Sequence, residues 1–172
     1  MNRRIVLTFG AIGIALSACG YKGGPVFAGN RTGGGSRVYK ITPTLTQKIP
    51  FRMLDAVNAL RAARSGPPLV FNAALDAAAL THSRDMSMQN RPWHFGSDGS
   101  SPLLRVQRVG YTGVFLGELI SETYETELET LSAWMNNANT RALLMDPTAR
   151  EMGFAWFQES SGKIWWTLLT GG

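Results

Sequence analysis

Arg91 to Glu122, RPWHFGSDGSSPLLRVQRVGYTGVFLGELISE, is the stretch whose reading decides the fold. It opens with turn chemistry, Arg91-Pro92 and then Gly96-Ser97-Asp98-Gly99. At Ser100-Ser101-Pro102 a serine cap followed by proline in the first helical position predicts a short helix to about Val109. Gly110-Tyr111-Thr112-Gly113 closes that helix and turns the chain into an apolar run that reads as a strand. Glu118 lies inside the run. A carboxylate flanked by Val114, Phe115, Leu116, Leu119 and Ile120 is costly to bury alone, so it needs a hydrogen-bond donor or a cation beside it. His94, from the turn two elements earlier, is the expected partner, and His94 with Glu118 is the candidate acid/base pair.

Downstream of the strand, Thr126-Glu127-Leu128-Glu129 has the spacing of a capping box, and Leu128, Leu131, Met135 and Ala138 then give a helical stripe. Glu122, Glu125, Glu127 and Glu129 read as favourable charges near the positive end of that helix. Thr140 is placed to cap a last short helix, Arg141 to Met145, which Asp146-Pro147 stops. Met152 to Gln158 and Ile164 to Thr170 read as aromatic-rich strands joined by the Ser160-Ser161-Gly162 turn.

Upstream, Leu54, Val57 and Leu60 predict a helix from about Phe51 to Ala63, ended by Gly66-Pro67-Pro68. A second helix is expected from Ala73 to Gln89, with Asn72 as N-cap and Leu75, Ala79, His82 and Met86 as its apolar stripe. His82 then points inward, as a hydrogen-bonded packing residue rather than a ligand. With helices before strands and strands closing the chain, the class is α+β, a small antiparallel sheet covered by helices.

The amino terminus carries an address. Met1 to Ala18 has a basic start (Arg3, Arg4), an apolar core from Ile5 to Leu16 and small residues before Cys19, the layout of an export signal. Leu16-Ser17-Ala18-Cys19 resembles the lipobox of bacterial lipoproteins, which implies lipid attachment at Cys19. Gly20, in place of an aspartate, resembles the pattern sorted to the outer membrane. Residues 19–48, glycine-rich and then polar, are expected to form a flexible tether, and Pro43 confines the strand-like Arg37 to Leu45 to an edge or a loop. The folded domain is expected over 49–172.

The 172 residues include 17 basic and 12 acidic side chains; without Arg3 and Arg4 the basic count is 15, a balance of about +3. Those charges are scattered, which together with an envelope address argues against nucleic acid as a partner. Cys19 is the only cysteine, so no internal disulfide can form and packing must hold the fold.

The order of residues from about Phe51 to Gly171 resembles the CAP superfamily, the cysteine-rich secretory, antigen 5 and pathogenesis-related proteins (SCP-like extracellular domains), and within it the cysteine-poor bacterial branch. The resemblance rests on Val57-Asn58 with Arg61, Gly66-Pro67-Pro68-Leu69, His82-Ser83 with Asp85-Met86, and the His94-Phe95-Gly96-Ser97-Asp98-Gly99 loop. It continues through Gly110-Tyr111, Gly117-Glu118, Trp134, Arg141, Glu151-Met152-Gly153-Phe154 and Trp166-Thr167. It implies an α-β-α sandwich and a cleft with two histidines and two acids, which in some members holds a divalent cation. His94 and Glu118 match half of that set. Leu119 stands where the family motif has Asn, Asn137 falls near the second acid and Thr140 at the second histidine, so the implied binding cleft comprises His94, Glu118, Asn137 and Thr140.

One histidine and one glutamate are too few for a zinc site, so no metal and no cofactor is expected. No hydroxyl, Ser83 and Ser97 included, is marked as a nucleophile, and neither Gly-x-Ser-x-Gly nor His-Glu-x-x-His occurs. The reading favours a non-catalytic binding or interaction module, anchored in the envelope through its lipid, for a lipid, small apolar molecule, glycan or protein partner. Trp93, Phe95, Tyr111 and Trp134 would offer apolar walls. The alternative is a periplasmic hydrolase of peptide or cell-wall material, with His94 as base and Glu118 as its orienting acid.

Overall fold

Thr42 accepts the Leu45 N–H on its side-chain oxygen at 3.3 Å and Pro43 follows it, so helix α1 starts there and runs Pro43–Ala62. The structure is a computed structural model that describes residues 38–172; the expected signal segment, Cys19 and the expected tether up to residue 37 lie outside the described residues. The early start of α1 corrects two expectations. Residues 43–48 are helix rather than tether, and Pro43 is a helix-opening residue rather than a strand breaker. Pro50, just before the expected start at Phe51, sits inside the helix. It removes one backbone hydrogen bond, at a cost of about 3 kcal/mol. Ile49 and Met53 on either side are fully buried, and each contributes about 1.5–3 kcal/mol in return.

The remaining elements are β1 (Val70–Phe71), α2 (Ala73–Gln89), α3 (Pro102–Arg108), β2 (Phe115–Ser121), α4 (Glu127–Asn136), α5 (Ala138–Leu144), β3 (Glu151–Gln158) and β4 (Ile164–Gly171). Four strands form one sheet in the order β1-β3-β4-β2. β2, β4 and β3 are antiparallel neighbours, as expected, whereas the two-residue β1, unforeseen in the sequence, adds a parallel edge to β3. β4 lies in the middle and is buried along its whole length because both faces are covered.

The alternation of side chains along each strand assigns the two faces. Met152, Phe154, Trp166, Leu168 and Leu119 pack with Ile49, Met53 and Val57 of α1, Leu131 and Trp134 of α4 and Leu144 of α5. Ala155 and Leu169 face the other way, onto Leu75, Ala78 and Ala79 of α2 and Val106 of α3. The result is the α-β-α sandwich. Gly153 marks the closest approach: a Cβ there would run into the backbone of Leu75 and Asp76.

Two further boundaries differ from expectation. Thr126 and Glu129 form the full capping box of α4, but the buried side is Glu127, Thr130, Leu131 and Trp134; Leu128 is exposed, as is Ala138. Glu127 is therefore a core residue, matched by Arg52 at 2.5 Å. Asn137, not Thr140, caps α5, accepting from the N–H groups of Asn139 and Thr140. Asx side chains make the stronger cap, and Thr140 is carried into the first turn.

The far end of α1 is tied down by Arg61, which is almost fully buried. Its guanidinium donates to the carbonyls of Pro67 (2.7 Å), Leu144 (2.7 Å), Asp146 (3.0 Å) and Ala149 (3.0 Å). One side chain thus satisfies four main-chain acceptors in the turns at the end of α1, after α5 and before β3.

Candidate functional site

On β2, Leu119 turns to the layer of α1, α4 and α5, and so does Gly117, whose hydrogen stands against Leu143. Alternation then sends Glu118 to the opposite face, toward α2 and α3. There its carboxylate, 1% exposed, meets three cationic or imidazole groups. Oε2 accepts from an Arg105 guanidinium nitrogen at 2.6 Å, and Oε1 faces His94 Nδ1 at 2.9 Å. A carboxylate that accepts makes Nδ1 the protonated ring nitrogen, and Nε2 has no partner among the described residues. His94 is about half exposed; Arg105 is nearly as buried as Glu118. The expected pair is therefore present, with a third member that sequence reasoning missed.

Arg105 also fixes the loop that carries His94. Its second terminal nitrogen donates to the carbonyls of His94 (3.0 Å) and Ser100 (2.9 Å). From the α2 side, Asp85 accepts the Ser97 N–H at 2.7 Å and a Gln89 side-chain N–H at 3.0 Å. Gly96 N–H closes the turn on the Ser100 carbonyl at 2.8 Å. The geometry of His94 is thus set by main-chain bonds to a buried arginine and a buried aspartate, and not by its own side chain alone.

His82 is buried as its helical spacing predicts. Its Nε2–H donates to the Trp93 carbonyl at 2.9 Å and lies 3.5 Å from Glu118 Oε1, while Nδ1 is buried without a partner among the described residues. Burial lowers its pKa against the pull of Glu118, which favours the neutral ring, and with its Nε2–H given to Trp93 the ring makes no hydrogen bond to Glu118.

The other two residues of the implied cleft are spent elsewhere. Asn137 is a helix cap, and the Thr140 hydroxyl donates to the Trp134 carbonyl at 2.5 Å; neither makes a hydrogen bond with His94 or Glu118. Of the aromatic candidates, Trp134 is buried with its indole N–H on the Ile120 carbonyl, Tyr111 donates to Glu151, and Trp93 donates to Gln89. Phe95 alone is half exposed, edge-on to Trp93 at 5.8 Å. Ser83 donates to Thr167 inside the sheet, and Ser97 contributes only its backbone N–H. No serine hydroxyl among the described residues is hydrogen-bonded to either histidine.

The divalent cation that the family resemblance implies for some members does not fit these residues. The position facing Glu118 Oε2 is taken by the Arg105 guanidinium, and a cation brought to the same oxygen would meet that charge at contact distance. Among the described residues no three His, Cys, Asp or Glu side chains are grouped as metal ligands. Arg105 itself supplies the compensating charge. It also lines a cavity of about 430 Å³ between α2 and α3, with Arg84, Met88, Asp98, Arg108 and Val109 around it.

The comparisons agree with the fold. The model of the cysteine-rich secretory protein (CAP) family matches residues 54–169, and the chain belongs to that family. It is 27% identical over 114 residues to the YkwD protein of Bacillus subtilis (strain 168), a match covering 66% of this chain and 44% of that one. The chain thus spans less than half the length of this relative. Among solved structures it is similar to an extracellular protein containing a SCP domain from Bacillus anthracis (TM-score 0.67, 20% identity, 77% of this chain and 45% of the other). It is also similar to an outer surface protein of Borrelia burgdorferi (TM-score 0.66, 16% identity, 73% and 93%). At those identities the likeness is one of fold.

Proposed function

We propose that this CAP domain is a non-catalytic binding or interaction module, held in a bacterial envelope by a lipid on Cys19 and facing the periplasm from the outer membrane. The observation that carries the binding half is the state of Glu118. Both its oxygens are engaged by Arg105 and His94, and among the described residues no serine hydroxyl is bonded to either histidine to be activated. Arg105, which holds the His94 loop, also lines a cavity in which Arg84 joins Met88 and Val109 while Arg108 is paired with Asp98, a lining that suits a ligand with an apolar body and a polar head. The address rests on the signal and lipobox residues. Two of the neighbours in fold are described as outer surface and extracellular proteins, which accords with it.

The test is co-purification. Full-length protein taken from its native membrane should carry bound envelope molecules in native mass spectrometry, and Arg84→Glu with Arg108→Glu should remove them while the fold persists. An empty spectrum, with no rebinding of extracted envelope lipids, would contradict the reading.

One observation favours a hydrolase instead: among the described residues His94 Nε2 has no partner, and Nδ1–H is oriented by a carboxylate, the arrangement of a general base. On that reading turnover of a muropeptide or peptide library would vanish in His94→Ala.

A further inference from the structure

The sheet has an unfinished side. β1 pairs with β3 only at Glu151 and Met152, and no described strand continues past Phe71. Asn72 N–H donates to the Met152 carbonyl at 2.9 Å, so the main-chain groups of the even-numbered β3 residues point away from β4. At the next such residue the Phe154 N–H is taken by the Asp76 side chain at 2.8 Å. The Phe154 carbonyl and the N–H and carbonyl of Trp156 have no hydrogen-bond partner among the described residues. The opening ends at Gln158, whose side chain is bonded to Tyr39 and Ile41.

This free edge forms the floor of a groove between α1 and α2. Two overlapping hollows of about 430 and 390 Å³ share Thr46, Pro50, Asp76 and Phe154. One extends over Leu80 and Trp156, the other to Phe51 and Phe71, whose rings meet edge to face at 6.2 Å. Phe51 is 63% exposed, a large apolar surface left to solvent. Among the described residues Asp76 brings the only carboxylate to either hollow. One oxygen holds Phe154, the other has no cation near it among the described residues, and burial raises its pKa. An uncovered strand edge, alternate side-chain hollows and one unmatched negative charge are the requirements for adding a basic peptide strand.

We propose that this groove binds an extended peptide of a partner protein as an added outer strand, pairing with Trp156 and the Phe154 carbonyl and setting a lysine or arginine against Asp76. From Phe154 to Gln158 the edge accommodates about five residues at roughly 3.3 Å each. The site shares no residue with the His94–Glu118 cluster, so it stands or falls apart from the function proposed above. A second copy of the chain is a poorer occupant, because its own β3 edge is flanked by the same two helices.

The probe is the acetylated, amidated pentapeptide Thr-Val-Lys-Val-Thr, added to the full-length chain in detergent, with exchange of the Trp156 amide read by hydrogen–deuterium NMR. Saturating peptide should slow that exchange at least about tenfold. N-methylation of the peptide amides that face β3 should abolish binding, while methylation of the outward amides should leave it intact. Replacing the peptide lysine by glutamate should weaken binding about tenfold, and Asp76→Asn, which keeps the acceptor for Phe154, should erase that difference. Absence of binding at millimolar peptide would overturn the proposal, as would indifference to which amides are methylated. So would a Trp156 amide already protected without peptide, which would mean that the edge is closed by the chain itself or by a second copy.

Discussion

Glu118 and the groups around it obey one rule: a buried charge persists where its charge and all its hydrogen-bonding positions are matched. Arg105 supplies the charge, and the two histidines bracket Oε1 from opposite degrees of exposure. His82 bears the electrostatic consequence. Its folded pKa lies below the unfolded value of 6.5, so the unfolded chain binds the extra proton. Its contribution to stability is therefore complete above pH 6.5 and is lost as the pH falls toward the lowered folded value. Denaturant midpoints measured from about pH 7 down to about pH 5 should fall, and His82→Gln should flatten that decline. An unchanged slope in the variant would place the titration elsewhere. Of this cluster, the sequence makes the His94–Glu118 pairing legible, because a lone acid in an apolar strand demands a partner. Arg105 is not legible, since a seven-residue helix does not reveal which of Arg105 and Arg108 turns inward. The signal was nonetheless present: the acid needs a cation, and α3 holds the two arginines immediately before it.

At the scale of elements, caps and breakers govern what can be read. Asn72, Ser101 and Thr126 announce α2, α3 and α4 because an Asx or hydroxyl cap satisfies N–H groups that no other local structure would. The true start of α1 is missed because the burial of Ile49 and Met53 outweighs the local penalty of Pro50, a balance visible only after the layers have packed. β1 is too short to leave a pattern. The approach of α2 to the sheet turns on Gly153, where any Cβ collides with backbone and not with a yielding side chain. Gly153→Ala should lower the unfolding free energy by about 3 kcal/mol or more, measured by urea denaturation. A loss below about 1 kcal/mol would show that α2 can ride outward without disturbing its contacts.

For the whole molecule, the proposed lipid anchor at Cys19 has a direct test. Cys19→Ser should move the protein from the membrane fraction to the soluble periplasmic fraction, and unchanged sedimentation with membranes would refute lipidation there. With no disulfide available, the sandwich depends on its two apolar layers and on arginines that knit main-chain carbonyls, Arg61 at one end of α1 and Arg105 under the His94 loop. That arrangement also separates the two candidate surfaces, the α2–α3 cavity that Arg105 lines and the open edge of β3 between α1 and α2.

The most direct measurement is a double-mutant cycle on the buried ion pair, with unfolding free energies for the parent chain, Arg105→Met, Glu118→Gln and the two together. If Arg105 holds the Glu118 charge, Arg105→Met alone loses about 3–5 kcal/mol. Glu118→Gln then destabilises the parent but stabilises the Arg105→Met background, where it removes a stranded charge. Equal effects of Glu118→Gln in both backgrounds would contradict the account.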